Sequence, residues 1–281
     1  MRSTRLKLRK ITSFIFSFLL TLLIYIFLVN LGLCYGLFSD NCVISTLNET
    51  NYYDKVYEEL HFKVKELLDG CNMPLDLFDD VINQRRLYMA SNTYISKSLQ
   101  KETPQINTDR LIAELHEKLD RYYAELGIEQ TEDILAKTQG LITEVEKEYN
   151  KRVRFPVVDI IMKIRREYAG LLLYIYPLVL ILAAVIIVCL LKLYRRKHRS
   201  MRYINYAMLA ASLLLIASCA GLILNKAYEW FNFMPGYYRD FLVVYCRLNI
   251  QACLYTGVLS LLISAVFVAF TAYMRNQYYS K

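Results

Sequence analysis

A chain of 281 residues that is 56% apolar and carries 24 tyrosines departs from soluble averages towards proteins that live in lipid. Its formal charge of +8 would suit a nucleic-acid partner if it were evenly spread, but residues 1–10, 192–202 and 275–281 hold 13 Lys/Arg and no Asp/Glu, while 39–169 holds 18 Lys/Arg against 24 Asp/Glu. That segregation follows the positive-inside rule of membrane proteins, and it excludes nucleic-acid binding as an explanation of the charge.

Residues 1–10 form a basic cytoplasmic N-terminus, and 11–38 the first span. The apolar run is about twice the length of a signal-peptide core. Cys34 follows the large Leu33, which is wrong for a lipoprotein cleavage site, and Cys34-Tyr35-Gly36 is a poor small-x-small site. An uncleaved span is expected.

Residues 39–169 read as one extracytoplasmic helical domain of about 130 residues, a normal size for an independent core. Tyr53, Val56, Tyr57, Leu60, Val64, Leu67 and Leu68 make an apolar stripe at 3–4 spacing, and Gly70 stands where a helix would end. A second helix is expected to start at Pro74, with Asp76, Asp79 and Asp80 complementing its dipole, and to run through Leu99. The polar stretch 100–107 reads as a loop. A third helix capped by Thr108 runs to Gly127, and a fourth starts near Thr131. Pro156 opens a fifth helix, and no breaker separates Val157 from Ala169, so this helix is expected to enter the membrane as one rod with the second span.

The second span, 170–193, is followed by a basic cytoplasmic loop, 194–203. Lys192, Arg195, Arg196, Lys197, Arg199 and Arg202 mark the cytoplasmic side and should attract anionic lipid headgroups. The third span, 204–225, has a small-residue face of Ala207, Ala210, Ala211, Ala217, Ala220 and Gly221 suited to close helix packing, and a homo-oligomer is one form such packing takes. An extracytoplasmic aromatic loop, 226–250, offers Trp230 and neighbouring rings to the interface. The fourth span covers 251–274, extended outward by a turn or two, and 275–281 is a cytoplasmic C-terminus. Arg247, at its outer mouth, either pairs with Glu229 or Asp240 or snorkels to the interface.

Chemical motifs are few. His116 and Asp120 share a helix face with Glu117 between them, which could present metal ligands and a general base. The metalloprotease pattern needs histidine where Asp120 stands, so a solvated helix face is the expected reading. Asp76, Asp79 and Asp80 lack the alternating spacing and glycine of a calcium loop. No nucleophile elbow or phosphate loop occurs. The cytoplasmic segments, about ten residues each, are too short for a kinase, cyclase or ATPase domain. No Asp, Glu, Lys, Arg or His lies inside the four apolar cores, where ion-coupled transporters and intramembrane proteases place functional groups. Cys42 and Cys71 are the disulfide candidate if the compartment is oxidising. Asn48-Glu49-Thr50 is a glycosylation sequon of meaning only in a eukaryotic secretory pathway.

The expected protein is all-α: four spans in the cell membrane, both termini cytoplasmic, and a helical bundle outside between spans one and two. It is read as a non-enzymatic interaction or sensor subunit, without a cofactor, that binds another membrane or envelope protein through the bundle and passes its state through the helix into span two. The span order resembles that of the permease subunits of the macrolide-exporter and cell-division class of ABC transporters. This resemblance implies a separate ATPase docking on the loop Lys192–Arg202, although those permeases carry mixed α/β outer domains. A zinc hydrolase using His116 and Glu117 is the third reading.

Overall fold

The computed structural model describes residues 2–100, 102–128, 131–194, 197–230 and 235–279, with the side chains of 9–100, 102–128, 131–194, 199–230 and 235–273. Among them the regular structure is entirely helical: α1 (Arg2–Gly36), α2 (Asp40–Glu49), α3 (Tyr52–Gly70), α4 (Gln84–Leu99), α5 (Asp109–Glu125), α6 (Glu132–Val153), α7 (Pro156–Leu193), α8 (Lys197–Leu224), a 3-10 turn (Ala227–Trp230) and α9 (Gly236–Tyr279). The helices α1, α7, α8 and α9 are long and apolar enough to cross a membrane, so the chain is a multi-pass membrane protein. Two compact units divide it. A membrane unit takes in Met1–Val43, Arg165–Phe233 and Leu242–Lys281, and a bundle unit takes in Ile44–Ile164 and Met234–Phe241.

In the membrane unit the apolar surface is largely turned outward, with Phe14 70%, Leu173 72% and Val266 68% exposed, as lipid contact requires. Inside, Leu20, Leu190 and Ala207 form one packed cluster, and Leu28, Ala211, Leu215, Cys219 and Cys253 another. Where lipid is as apolar as the protein, close approach and hydrogen bonds must hold the helices together. A Cβ on Gly32 would stand 2.7 Å from Cys253 Cα, and one on Gly36 would stand 3.1 Å from Asn249 Cα, so α1 and α9 touch backbone to backbone. Gly32 and Gly36 form a G-x-x-x-G pair that sequence reading passed over. Hydrogen bonds add to this. Ser13 donates to Tyr194 Oη at 3.0 Å, Asn205 Nδ2 to Thr271 Oγ1 at 2.9 Å, and Ser212 bonds Ser260 at 2.8 Å. The small-residue face expected on the third span splits: Ala207 and Ala211 are fully buried, whereas Ala210 and Ala217 are exposed.

Arg165 is buried at the head of this unit. Its Nε donates to Leu37 O at 2.5 Å, Nη2 to Ser39 O at 3.1 Å, and Nη1 pairs with Asp40 at 2.6 Å. Leu37 and Ser39 lie in the turn just past the end of α1, so the guanidinium stands at the C-terminus of that helix, where its dipole favours a cation.

The bundle is built from amphipathic helices whose apolar stripes were legible. Val56, Leu60, Val64 and Leu68 of α3 are buried, as are Leu111, Leu115 and Leu119 of α5 and Leu141, Ile142, Val145 and Tyr149 of α6. Several boundaries differ from expectation. Residues 74–82 are turns rather than the first turns of a helix, closed by short bonds such as Leu77 N to Pro74 O and Asp79 N to Asp76 O. The helix starts at Gln84 because Asn83 accepts the Arg86 amide at 2.9 Å, a side-chain cap. Asp79 and Asp80 are therefore not dipole partners; Asp79 meets His61 at 2.9 Å and Asp80 meets Lys118 at 2.6 Å. Asn72, at φ 54°, takes the left-handed position assigned to Gly70, which is the last residue of α3. Asn51, also left-handed at φ 49°, separates α3 from α2, a helix the periodicity did not reveal. Gly127 ends α5 at φ 67°.

The long helix α7 begins at Pro156, whose missing N–H costs nothing at a helix start, and continues unbroken through Pro177 to Leu193. The expected loop 226–250 is much shorter than predicted, since α9 is already helical from Gly236.

Candidate functional site

The bundle contains a concavity of about 540 Å³, formed by one face of α4, the segment 105–107, the first turn of α5 and Tyr149 of α6. The spacing on α4 explains its wall. Arg86, Met89, Ala90, Thr93 and Lys97 recur every three to four residues and so stand on one face of a helix. Among the described residues four cations line the cavity, Arg85, Arg86, Lys97 and Arg110, and no acidic residue does. Between them lie apolar and aromatic groups: Met89, Leu111, Tyr94 and Tyr149. Sequence reading missed this site, because its cations come from two helices separated by the loop 100–107.

Two of the cations are held in place by Glu114. Its carboxylate meets Arg86 Nη1 at 2.6 Å and Arg110 Nε at 2.8 Å, and Arg86 Nη1 also donates to Val81 O at 2.7 Å. The hydrogen bond from Arg86, then that from Arg110, holds the Glu114 carboxyl down to about 2. Arg85 and Lys97 make no ion pair among the described residues. Tyr94 donates to Asp159 at 3.3 Å; burial, followed by the Asp159 charge, raises its phenol above the usual tyrosine value.

A second polar group lies in the bundle core. Arg152, 3% exposed, pairs with Glu148 and, at 3.3 Å, with Glu59. Burial pushes the Glu148 carboxyl up, but the hydrogen bond and charge of Arg152, with Lys151 and Lys63, outweigh it and leave the group below its ordinary value. Next to this group is a stack of rings. Tyr52 lies 4.8 Å from Phe155 and 5.6 Å from Tyr237, and Phe155 lies 4.9 Å from Phe241. Burial raises the Tyr52 and Tyr237 phenols far above the ordinary range, with nearby tyrosines and Glu59 adding to it. The Tyr52 hydroxyl and Arg152 Nε are buried without a hydrogen-bond partner among the described residues. The first turns of α9 thus complete the bundle core, and Lys55 pairs with Asp240 at 2.6 Å on its surface.

The residues singled out from sequence are dispersed. His116 and Glu117 lie on α5, where Glu117 bonds Arg121 at 2.8 Å, a helix-surface ion pair. Among the described residues no group of three His, Cys, Asp or Glu is arranged to hold a metal ion, and His116, Glu117 and Asp120 do not form one. Cys42 and Cys71 are not joined by a disulfide; Cys42 is half-buried and Cys71 exposed. Arg195 and Arg196 lie outside the described residues, as does the side chain of Lys197. Arg199 is exposed, and Arg202 donates to Tyr206 Oη at 3.0 Å with its guanidinium 5.8 Å from that ring. Trp230 is 80% exposed. Arg247 is exposed on α9; of the carboxylates expected for it, Glu229 pairs with Lys226 at 3.4 Å and Asp240 with Lys55. Compared with models of known families, with curated proteins and with solved structures, the chain matches none.

Proposed function

We propose that this is a non-enzymatic sensor or interaction subunit of the cell membrane, with cytoplasmic termini and its bundle displayed on the extracytoplasmic side. Charge supports the threading: the basic intervals fall at 1–10, 192–202 and 275–281, and the net-acidic interval between the first two spans. The observation that carries the reading is the continuity of α7. Its residues 156–164 belong to the bundle and 165–193 to the membrane unit, within one helix. α9 repeats the arrangement, contributing Gly236–Phe241 to the bundle before its apolar length. A change of state in the bundle that moved either helix would reach the membrane without crossing a flexible linker. Partners would be other membrane or envelope proteins, or a second copy of this chain, with anionic lipid at the basic fringe.

The threading is tested in a cysteine-free background by labelling intact cells with an impermeant maleimide. His116→Cys should react and His198→Cys should react only after permeabilisation; the opposite pattern overturns the reading. Recovery of a stoichiometric ATPase bound through Lys192–Arg202 would instead favour the permease-like subunit.

A further inference from the structure

We propose that the cavity between α4 and the start of α5 binds a small organic anion, a carboxylate or phosphate ester carrying an apolar or aromatic group. The proposal deepens the sensor reading, on which it rests for its biological sense, by naming the chemistry the bundle would detect.

Charge placement is the first argument. The interval 39–169 holds more Asp/Glu than Lys/Arg, so a concavity drawn at random from it would be net acidic. Among the described residues this one gathers four cations and no carboxylate in its lining. Glu114 offsets only part of that charge, and it does so from one side. Arg86 uses Nη1 for both of its bonds and Arg110 uses Nε, so each guanidinium keeps further nitrogens of its donor fork. Of the carboxylates that adjoin the lining residues, Asp159 accepts the Tyr94 hydroxyl and Glu146 accepts the Thr108 hydroxyl at 2.7 Å. Arg85 and Lys97 are then the two charges with no structural duty among the described residues. Clustered like charges repel, and an anion binding among them relieves that repulsion while gaining charge-assisted hydrogen bonds.

Size and polarity supply the second argument. About 540 Å³ falls in the range of sites for drug-sized molecules. An inorganic ion would leave Met89, 51% exposed on the wall, uncovered in front of the buried Leu111, Tyr94 and Tyr149. A ligand with an anionic head and an apolar body fills both parts, with guanidinium forks suited to carboxylate or phosphate oxygens. The same head chemistry is offered by a free ester and by a lipid headgroup.

The test uses the full chain in nanodiscs of zwitterionic lipid, titrated calorimetrically with phenyl phosphate and, as a neutral analogue, benzyl alcohol. Phenyl phosphate should bind about ten-fold or more tighter than the alcohol. Arg85→Gln/Lys97→Gln should lose that preference with an unchanged melting temperature. Thr93→Phe, an exposed position on the cavity wall, should weaken phenyl phosphate by occupying its space. Discs doped with phosphatidic acid separate the sources: competition with phenyl phosphate identifies a headgroup as occupant, and its absence identifies a free solute. Equal binding of phenyl phosphate and benzyl alcohol, or full affinity in the double variant, overturns the proposal. The labelling of positions 116 and 198 is unaffected by either result, so failure of the anion site and failure of the threading are read separately.

Discussion

The two units solve the same packing problem with different materials. In the bundle, water supplies the driving force. Large side chains such as Tyr52, Phe78, Phe155 and Phe241 are almost fully buried, and charges are paired around them. In the membrane unit many large apolar side chains face outward, and inside, a few buried leucines such as Leu20, Leu190 and Leu215 pack alongside Gly32, Gly36, Ala207 and Ala211, with serine and asparagine hydrogen bonds. Burying a leucine gains little when the alternative is lipid, so small residues that allow backbones to touch carry a larger share of the packing. Substitutions of like kind should therefore have unlike effects in the two places.

The largest effect is expected at Arg152. Arg152→Ala removes a buried side chain and its charge-assisted hydrogen bonds to Glu148 and Glu59, carboxylates that are 20% and 38% exposed, and losing hydrogen bonds of this kind together with the buried packing costs about 3 kcal/mol. Hydrogen exchange on the full chain should show α3 and α6 opening while α1 and α8 keep their protection; equal loss in both units would mean that the two are not separate in stability.

Gly32→Ala is the reciprocal break. Its Cβ would stand 2.7 Å from Cys253 Cα, backbone that cannot rotate away, and overpacking of this kind costs about 2 kcal/mol. The helices α1 and α9 should exchange faster and the bundle should be unaffected. Gly140→Ala, where nothing lies within 4 Å of the added atom, serves as the control and should be neutral or slightly stabilising.

The smallest effect sharpens the contrast by pH. The folded Glu114 carboxyl sits at about 2, below its unfolded value, so its contribution is present above the unfolded value near 4.5 and is lost as pH falls towards 2. Glu114 is about one-third exposed, and solvent screening keeps the contribution to about 1 kcal/mol. Bundle stability should fall over that window in wild type and less steeply in Glu114→Gln.

Much of the helix inventory was readable because burial against water imposes a 3–4 period, and because a membrane imposes length and excludes charge. Where neither constraint acts cleanly, the reading slipped. Leu77, Phe78, Val81 and Ile82 have helical spacing, yet they sit in turns that insert Phe78, Val81 and Ile82 into the core. Spacing reports which residues are buried and is blind to which hydrogen bonds close the backbone. The Asn83 cap was the better signal for where α4 begins. Likewise the aromatic residues from Gly236 onward suggested an interfacial loop, because an amphipathic helix start and a membrane-interface loop share their composition.

The order of the chain by itself determined the four crossings and the segregation of charge, since both depend on local composition over about twenty residues. It also determined the apolar faces of α3, α5 and α6 and the start of α7 at Pro156. Only the tertiary structure decided that the first turns of α9 complete the bundle core, that Gly32 and Gly36 receive α9, and that Arg85, Arg86, Lys97 and Arg110 share one cavity. Those juxtapositions join residues far apart in sequence. Their energies come from contacts between elements, and no window of local pattern carries that information.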